Sequence, residues 1–264
     1  MFGGSGELVP GGQWKPLWGG FNSQPGNRAI PASLLRIQMP LFIGKVKGIF
    51  RSKGANIMNY LVLLRHGQSQ WNLENRFTGF KDVDLTPEGE IEARNAGKRL
   101  YNTPIRFDAV FTSTLKRANK TAKIALENSG QREMINSMTA HDDLRESDYG
   151  DLTGLNKDET RKKYGEEQVH IWRRSYDVPP PNGESLMDVV EKRVRPYYAQ
   201  HIKPLVNKGE SVLVAAHGNS LRALLIILGA ETPESINNAE LPTGVPLVFE
   251  MEKGKIKKRY FLNE

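Results

Sequence analysis

The chain has 264 residues, 38% hydrophobic and 25% charged, with no cysteine. That balance is the one of an ordinary water-soluble fold; it excludes disulfides and thiolate metal sites, and no apolar run comes near the roughly 18–20 residues of a membrane-spanning helix. The net charge of +7 is uneven: residues 1–57 hold seven Lys or Arg and one acid, whereas the remainder holds 30 and 29. A nucleic-acid surface needs basic residues gathered on a face of the folded domain, and the body gives no such signal.

Residues 1–57 read as a basic, disordered N-terminal extension rich in Gly, Pro and Ser. The weakly amphipathic stretch from Leu34 to Phe50 carries Arg and Lys but no acid, as an organelle transit peptide does. The plainer expectation is an upstream translated leader on a cytoplasmic protein, because Met58 directly precedes the first strand and would make a natural start; a partner-binding arm is the third reading. Residues 58–264 are expected to form a single folded domain.

Leu61 to Leu64 predict a short buried strand that stops at Arg65-His66-Gly67. Thr86-Pro87-Glu88 predicts a helix start, with an N-cap, Pro at the first position and acids in the first turn, running to about Tyr101. Phe107 to Ser113 reads as a strand and Leu115 to Glu127 as a helix. A further strand is expected near Glu133 to Met138, followed by a loop from Asp142 to Gly150. Short helices are expected over Lys157 to Tyr164 and Glu166 to Arg173. A long helix follows from Ser185 to about Val206, which Pro196 and Pro204 should kink or divide. Ser211 to Ala216 is a strand ending at His217-Gly218, and Ser220 to Leu228 a helix. Val245 to Glu250 and Ile256 to Leu262, split by Lys253-Gly254, read as a terminal hairpin. Strands alternating with helices imply an α/β fold, with a largely parallel sheet covered by helices on both faces.

Two buried strands that end in His-Gly suggest one pocket with two imidazoles, at the sheet edge where α/β folds bind ligands. His66 is the candidate nucleophile, since a neutral imidazole offers a lone pair and Arg65 and Arg117 disfavour its protonation. The same cations would hold a phosphoryl group and spread its charge in transfer. His66 alone would fit a packed loop residue equally well; the second His-Gly tips the balance. His217 would donate to the transferring oxygens beside a helix N-terminus. Two imidazoles with no third ligand at helical spacing argue against zinc, and His141, His170 and His201 stand in polar or helical contexts that suggest no catalytic role. Glu146 is the acid/base candidate, because a phosphate dianion beside it favours the protonated carboxyl.

Several blocks together resemble the cofactor-dependent phosphoglycerate mutases of the histidine phosphatase superfamily. They are Arg65 to Asn72, Arg76-Phe77-Thr78-Gly79, Thr112-Ser113 with Leu115 to Ala118, Tyr149-Gly150 with Gly154 to Lys157, Trp172-Arg173-Arg174, and His217 to Arg222. The match runs in order from about residue 59 to 262. It implies a three-layer αβα sandwich that interconverts 2- and 3-phosphoglycerate through phosphohistidine at His66, primed by 2,3-bisphosphoglycerate and needing no metal. Glu146 matches the family's proton donor and acceptor, and His217 its transition-state stabiliser. Arg65, Asn72, Arg117, Gly218 and Asn219 match the phosphate pocket. Thr78, Gly79, Tyr149, Lys157, Arg173 and Arg174 match the residues that hold the substrate carboxylate and second phosphate. The expected partner is this small acid, not nucleic acid or membrane, with a homodimer as one open assembly.

Three departures from the family pattern stand out. Ser147 replaces the Arg that usually follows the catalytic Glu, so one substrate-side cation is missing. Tyr176 to Ser185 is shorter than the insertion that supports oligomer contacts in longer members. The chain stops at Glu264, directly after the hairpin, without a mobile covering tail; easier water access to His66 would then raise phosphatase side activity. A phosphatase of the same superfamily would share His66, Arg65, Arg117 and His217 without needing Lys157, Arg173 and Arg174. A non-catalytic binding protein on the same fold is the remaining rival.

Overall fold

In a computed structural model, which describes residues 58–263, six strands form one sheet. They are β1 (Asn59–Arg65), β2 (Ala109–Ser113), β3 (Thr139–His141), β4 (Val212–Ala216), β5 (Pro246–Glu252) and β6 (Lys255–Phe261), in spatial order β3-β2-β4-β1-β5-β6. The first four in that order pair in parallel, and β5 and β6 add an antiparallel hairpin. Its turn, Lys253-Gly254, takes positive φ at both residues, the geometry that matches strand twist. The expectations placed on residues 1–57 lie outside the described residues.

Side chains alternate across the strands, and each face meets its own helices. Leu61, Leu63, Val212 and Val214 pack with Val189, Val194, Ile202, Leu221 and Leu224 on one face. Val62, Leu64, Leu213 and Ala215 pack with Ala96, Leu100, Ala122 and Leu126 on the other. The result is the expected αβα sandwich. Fully burying one such leucine contributes on the order of 2 kcal/mol.

The helices are α1 (Gln70–Leu73), α2 (Pro87–Tyr101), α3 (Lys116–Asn128), α4 (Lys157–Tyr164) and α5 (Glu166–Arg174), then the composite helix 186–207 and the helix Gly218–Ile227. Helix α2 begins as expected: Thr86 Oγ1 accepts the Gly89 N–H at 3.1 Å and Pro87 occupies the first turn.

One expectation needs correction, and another is met in a particular form. The segment 133–138 is not a strand: Arg132–Ser137 is a 3₁₀ turn, and only Thr139–His141 pairs with β2. Met134, Ile135 and Met138 all pack on the α2–α3 side; the neighbours Met134 and Ile135 would face opposite sides of a strand, whereas Ile135 and Met138 share a face at the three-residue spacing of a 3₁₀ turn. Pro196 and Pro204 do divide the long helix, though only into alternating α and π stretches along a continuous helical run, with an α stretch restarting at each proline. Each sits just after a π-helical segment, Val189–Val194 or Tyr198–Ile202, whose wider turns take up the N–H and the space that a proline removes from the α-ladder. Smaller shifts affect the ends. The strand ending at Ser113 starts at Ala109, and the helix after His217 starts at Gly218, so His217 itself is the N-cap.

Candidate active site

The parallel register sets Arg65 of β1 beside Ala216 of β4, so the next residue of each strand is a histidine at the same sheet edge. The His66 N–H donates to Ala216 O at 3.0 Å, and the two ring centroids lie 5.0 Å apart. Both rings are buried. Gly67 follows because the chain there presses on the first turn of α2: a Cβ on Gly67 would stand 2.1 Å from Gly89 O.

Hydrogen bonding sets the two tautomers. His66 Nδ1 lies 2.7 Å from Gly67 O; a carbonyl only accepts, so Nδ1 carries the proton and Nε2 keeps its lone pair. His217 Nε2 lies 2.7 Å from Ser113 Oγ. That hydroxyl already accepts the Leu115 N–H at 3.2 Å, and its own proton has no other acceptor among the described residues. We assign it to Nε2, which puts the ring proton of His217 on Nδ1, a buried atom without a hydrogen-bond partner among the described residues. Burial holds both imidazoles well below the usual pKa of 6.5, and Arg117 and Arg65 push in the same direction. The site therefore offers one imidazole lone pair and one unspent imidazole N–H.

Arg65 and Arg117 each spend part of a guanidinium on the backbone. Arg65 Nη1 donates to Leu241 O at 2.8 Å; Arg117 Nη1 and Nη2 donate to Lys81 O at 2.8 Å and Gly79 O at 2.9 Å. These bonds hold the groups still, while Nε of both is buried and unpartnered among the described residues. Burial presses Arg117 down to about 10, partly offset by the carboxylate of Glu146, so it remains a cation near neutral pH. Unpaired buried donors are costly, and an anion at the mouth of this pocket would satisfy them.

Glu146 closes the opposite side. Its Oε1 accepts the N–H groups of Ser147 and Asn219, both at 2.9 Å. Ser147 is buried, and its Oγ accepts from Asn219 Nδ2 at 2.6 Å, so the side chain at this position braces Asn219. The same Nδ2 reaches Tyr149 Oη at 3.3 Å.

Two small cavities share Arg65, Glu146, Tyr149 and Arg173. One, of about 70 Å³, also holds His66, Asn72, Arg76, Thr78, Arg117 and Lys157. The other, of about 80 Å³, also holds Arg174, Gly218, Asn219 and Arg222. Lys157, at the first turn of α4, is pressed down to about 8 by burial and then by Arg173. Asn72 spends its Oδ1 on the N–H and Oγ of Ser69. Thus His66, Arg65, Asn72, Thr78, Arg117, Glu146, Tyr149, Lys157 and Arg173 surround one chamber, with His217 against His66. Arg174, Gly218 and Asn219 belong to the neighbouring chamber, where Arg174 pairs with Glu240 at 2.8 Å. Gly79 acts through its carbonyl on Arg117. His141, His170 and His201 are exposed and line neither chamber.

Sequence reasoning passed over four side chains. Arg76 lines the His66 chamber, and its signal was membership of the Arg76–Gly79 block. Arg222, buried, donates to Asn219 Oδ1 at 3.0 Å and to the carbonyls of Arg174 and Ile236 at 2.8 and 2.9 Å. A lone charge in the apolar stretch Leu221–Leu228 was its signal. Ser113 was signalled by the Thr112-Ser113 block and by ending a strand, and Arg193, which reaches the Glu146 segment from the helix 186–207, gave no signal.

The histidine phosphatase superfamily (branch 1) model matches residues 61–263. A 2,3-bisphosphoglycerate-dependent phosphoglycerate mutase of Methylobacterium sp. (strain 4-46) is 58% identical over 192 residues, 73% of this chain and 91% of the relative. A protein of the same name from Brucella anthropi is 56% identical, over 72% and 91%. Among solved structures, the α-ribazole phosphatase of Shigella flexneri superposes with a TM-score of 0.62 at 23% identity, covering 74% of this chain and 92% of that one. The phosphoglycerate mutase of Bacillus anthracis str. Sterne gives 0.58 at 22%, covering 76% and 92%. These two likenesses speak for the fold, and they agree with the sheet and helix layers described above. The paired His-Gly strand ends and the match across residues 61–263 place the chain in the histidine phosphatase superfamily, branch 1.

Proposed function

We propose that the chain is a 2,3-bisphosphoglycerate-dependent phosphoglycerate mutase, interconverting 2- and 3-phosphoglycerate. The observation that carries the reading is the His66–His217 pair, with ring centroids 5.0 Å apart, Nδ1 of His66 bound to a carbonyl, and Nδ1 of His217 buried without a hydrogen-bond partner among the described residues, set between two arginines with unspent donors. Relatives at 56–58% identity that bear the name add weight.

On this reading His66 Nε2 attacks the phosphorus, and the P–O bond to the substrate breaks as the N–P bond forms. Arg65, Arg117 and His217 Nδ1–H bind the three equatorial oxygens, whose charge peaks in the transition state. Glu146 gives its proton to the departing hydroxyl oxygen and takes one back in the return transfer. Lys157, Arg173 and Tyr149 hold the carboxylate and the second phosphate, with Asn72, Thr78, Arg174, Gly218 and Asn219 around them. The unpartnered donors suit a phosphoryl group, and 2,3-bisphosphoglycerate would prime His66 from the same position. Arginines and imidazoles supply the positive field, so the reading asks for no metal. Residues 58–264 form the catalytic domain and work in the cytoplasm on a small acid.

The test is a rate comparison. Given 3-phosphoglycerate and catalytic 2,3-bisphosphoglycerate, the protein should isomerise much faster than it releases inorganic phosphate. Dominant release would favour a phosphatase of the same superfamily.

A further inference from the structure

Arg193 belongs to the helix 186–207, which lines neither chamber, yet its guanidinium reaches the segment that carries Glu146. Nε and Nη2 fork the two carboxylate oxygens of Glu184 at 2.9 and 2.7 Å. The remaining N–H groups donate to the carbonyls of Asp143, Arg145 and Glu146 at 3.2, 3.3 and 3.2 Å. Glu184 completes the clamp by accepting the Asp148 N–H at 2.9 Å. Four backbone groups between 143 and 148 are therefore gripped by one ion pair, whose side chains are only 12% and 21% exposed. Arg193 lies in the Val189–Val194 π-helical segment, a kind of turn that recurs at functional sites.

We propose that Arg193, with Glu184, is a positioning residue for proton transfer: it holds the backbone of Glu146 where its carboxyl meets the substrate oxygen. The proposal rests on the reading of Glu146 as the acid/base. On the site side, Oε1 is committed to two backbone N–H groups, which leaves Oε2 for the proton. The aim of that oxygen depends on the main chain beneath it, and Arg193 fixes that main chain from behind.

The chemistry separates positioning from mere support. As His66 Nε2 forms its bond to phosphorus, the electrons of the broken P–O bond go to the departing oxygen. An alkoxide then needs the Glu146 proton, and general acid catalysis of this kind is worth about a hundredfold or more. A 2,4-dinitrophenolate leaves as a stable anion and needs none. In Arg193→Gln, mutase turnover should fall about a hundredfold, while the single-turnover burst of dinitrophenolate from 2,4-dinitrophenyl phosphate should stay within about threefold. Because the single change strands the Glu184 charge, the double variant Arg193→Met/Glu184→Met is measured beside it and should show the same split. Equal losses in both reactions would reduce the pair to a structural prop, and no loss in either would remove it from the mechanism. A wild-type protein that gives the dinitrophenolate burst but no isomerisation would overturn the mutase reading instead.

Discussion

Ser113 Oγ lies 2.7 Å from Nε2 of His217; Ser113 ends β2 and His217 directly follows β4, two neighbouring parallel strands in register with Thr112 opposite Ala215. With the tautomer assigned above, the hydroxyl keeps the His217 proton on the edge facing away from Ser113. Removing it lets the ring adopt either tautomer and strands the Leu115 N–H. Ser113→Ala should lower kcat about five- to tenfold, the worth of one buried hydrogen bond of about 1 kcal/mol. It should also lower the midpoint of thermal unfolding by a few degrees. Steady-state kinetics and a melting curve check both; an unchanged kcat would show that the tautomer is set elsewhere.

The two buried imidazoles make stability depend on pH in a defined direction. Both resist protonation when folded, whereas in the unfolded chain they take a proton near pH 6.5. Below that value the unfolded state binds protons that the folded state refuses, so stability falls with pH. Each histidine removes up to about 1.4 kcal/mol of stability per pH unit below 6.5, and none above it. Urea unfolding at pH 7.5 and 5.5 should show a larger loss for the wild type than for His66→Gln/His217→Gln. Equal losses would mean that other groups carry the acid sensitivity.

Lys157 makes the opposite prediction at alkaline pH. Burial and Arg173 press its ammonium down to about 8, so the free enzyme loses this cation as pH rises past that value. The reaction's kcat/KM for phosphoglycerate should therefore decline above about pH 8. Lys157→Met should bind substrate more weakly at pH 7 and lack that limb of the profile. A wild-type profile that stays flat to pH 9.5 would contradict the assignment of Lys157 to substrate binding.

How much of this was legible beforehand follows from what each signal depends on. The pairing of His66 with His217 could be read because each ends an apolar strand, and parallel neighbours in register bring their ends together. The start of α2 could be read because Thr86-Pro87 is a local cap. The segment near Glu133 misled because Met134, Ile135 and Met138 are apolar enough for a strand, and only their tertiary contacts decide the period. The form of the division at Pro196 and Pro204 was hidden for a similar reason: a proline signals a lost hydrogen bond, not whether the helix breaks or widens. Arg193 was invisible because its partners lie 9 to 50 residues away. Ser147 was noticed only as a missing cation, and its bond to Asn219 could not be inferred from spacing.

The most direct measurement asks where the phosphoryl group rests. Protein incubated with 2,3-bisphosphoglycerate carrying a radioactive phosphoryl group should acquire a label that is lost in acid and retained in alkali. Peptide mapping should place it on Nε2 of His66, and His66→Ala should take up none. Turnover without any label, or an acid-stable label on another residue, would contradict the account.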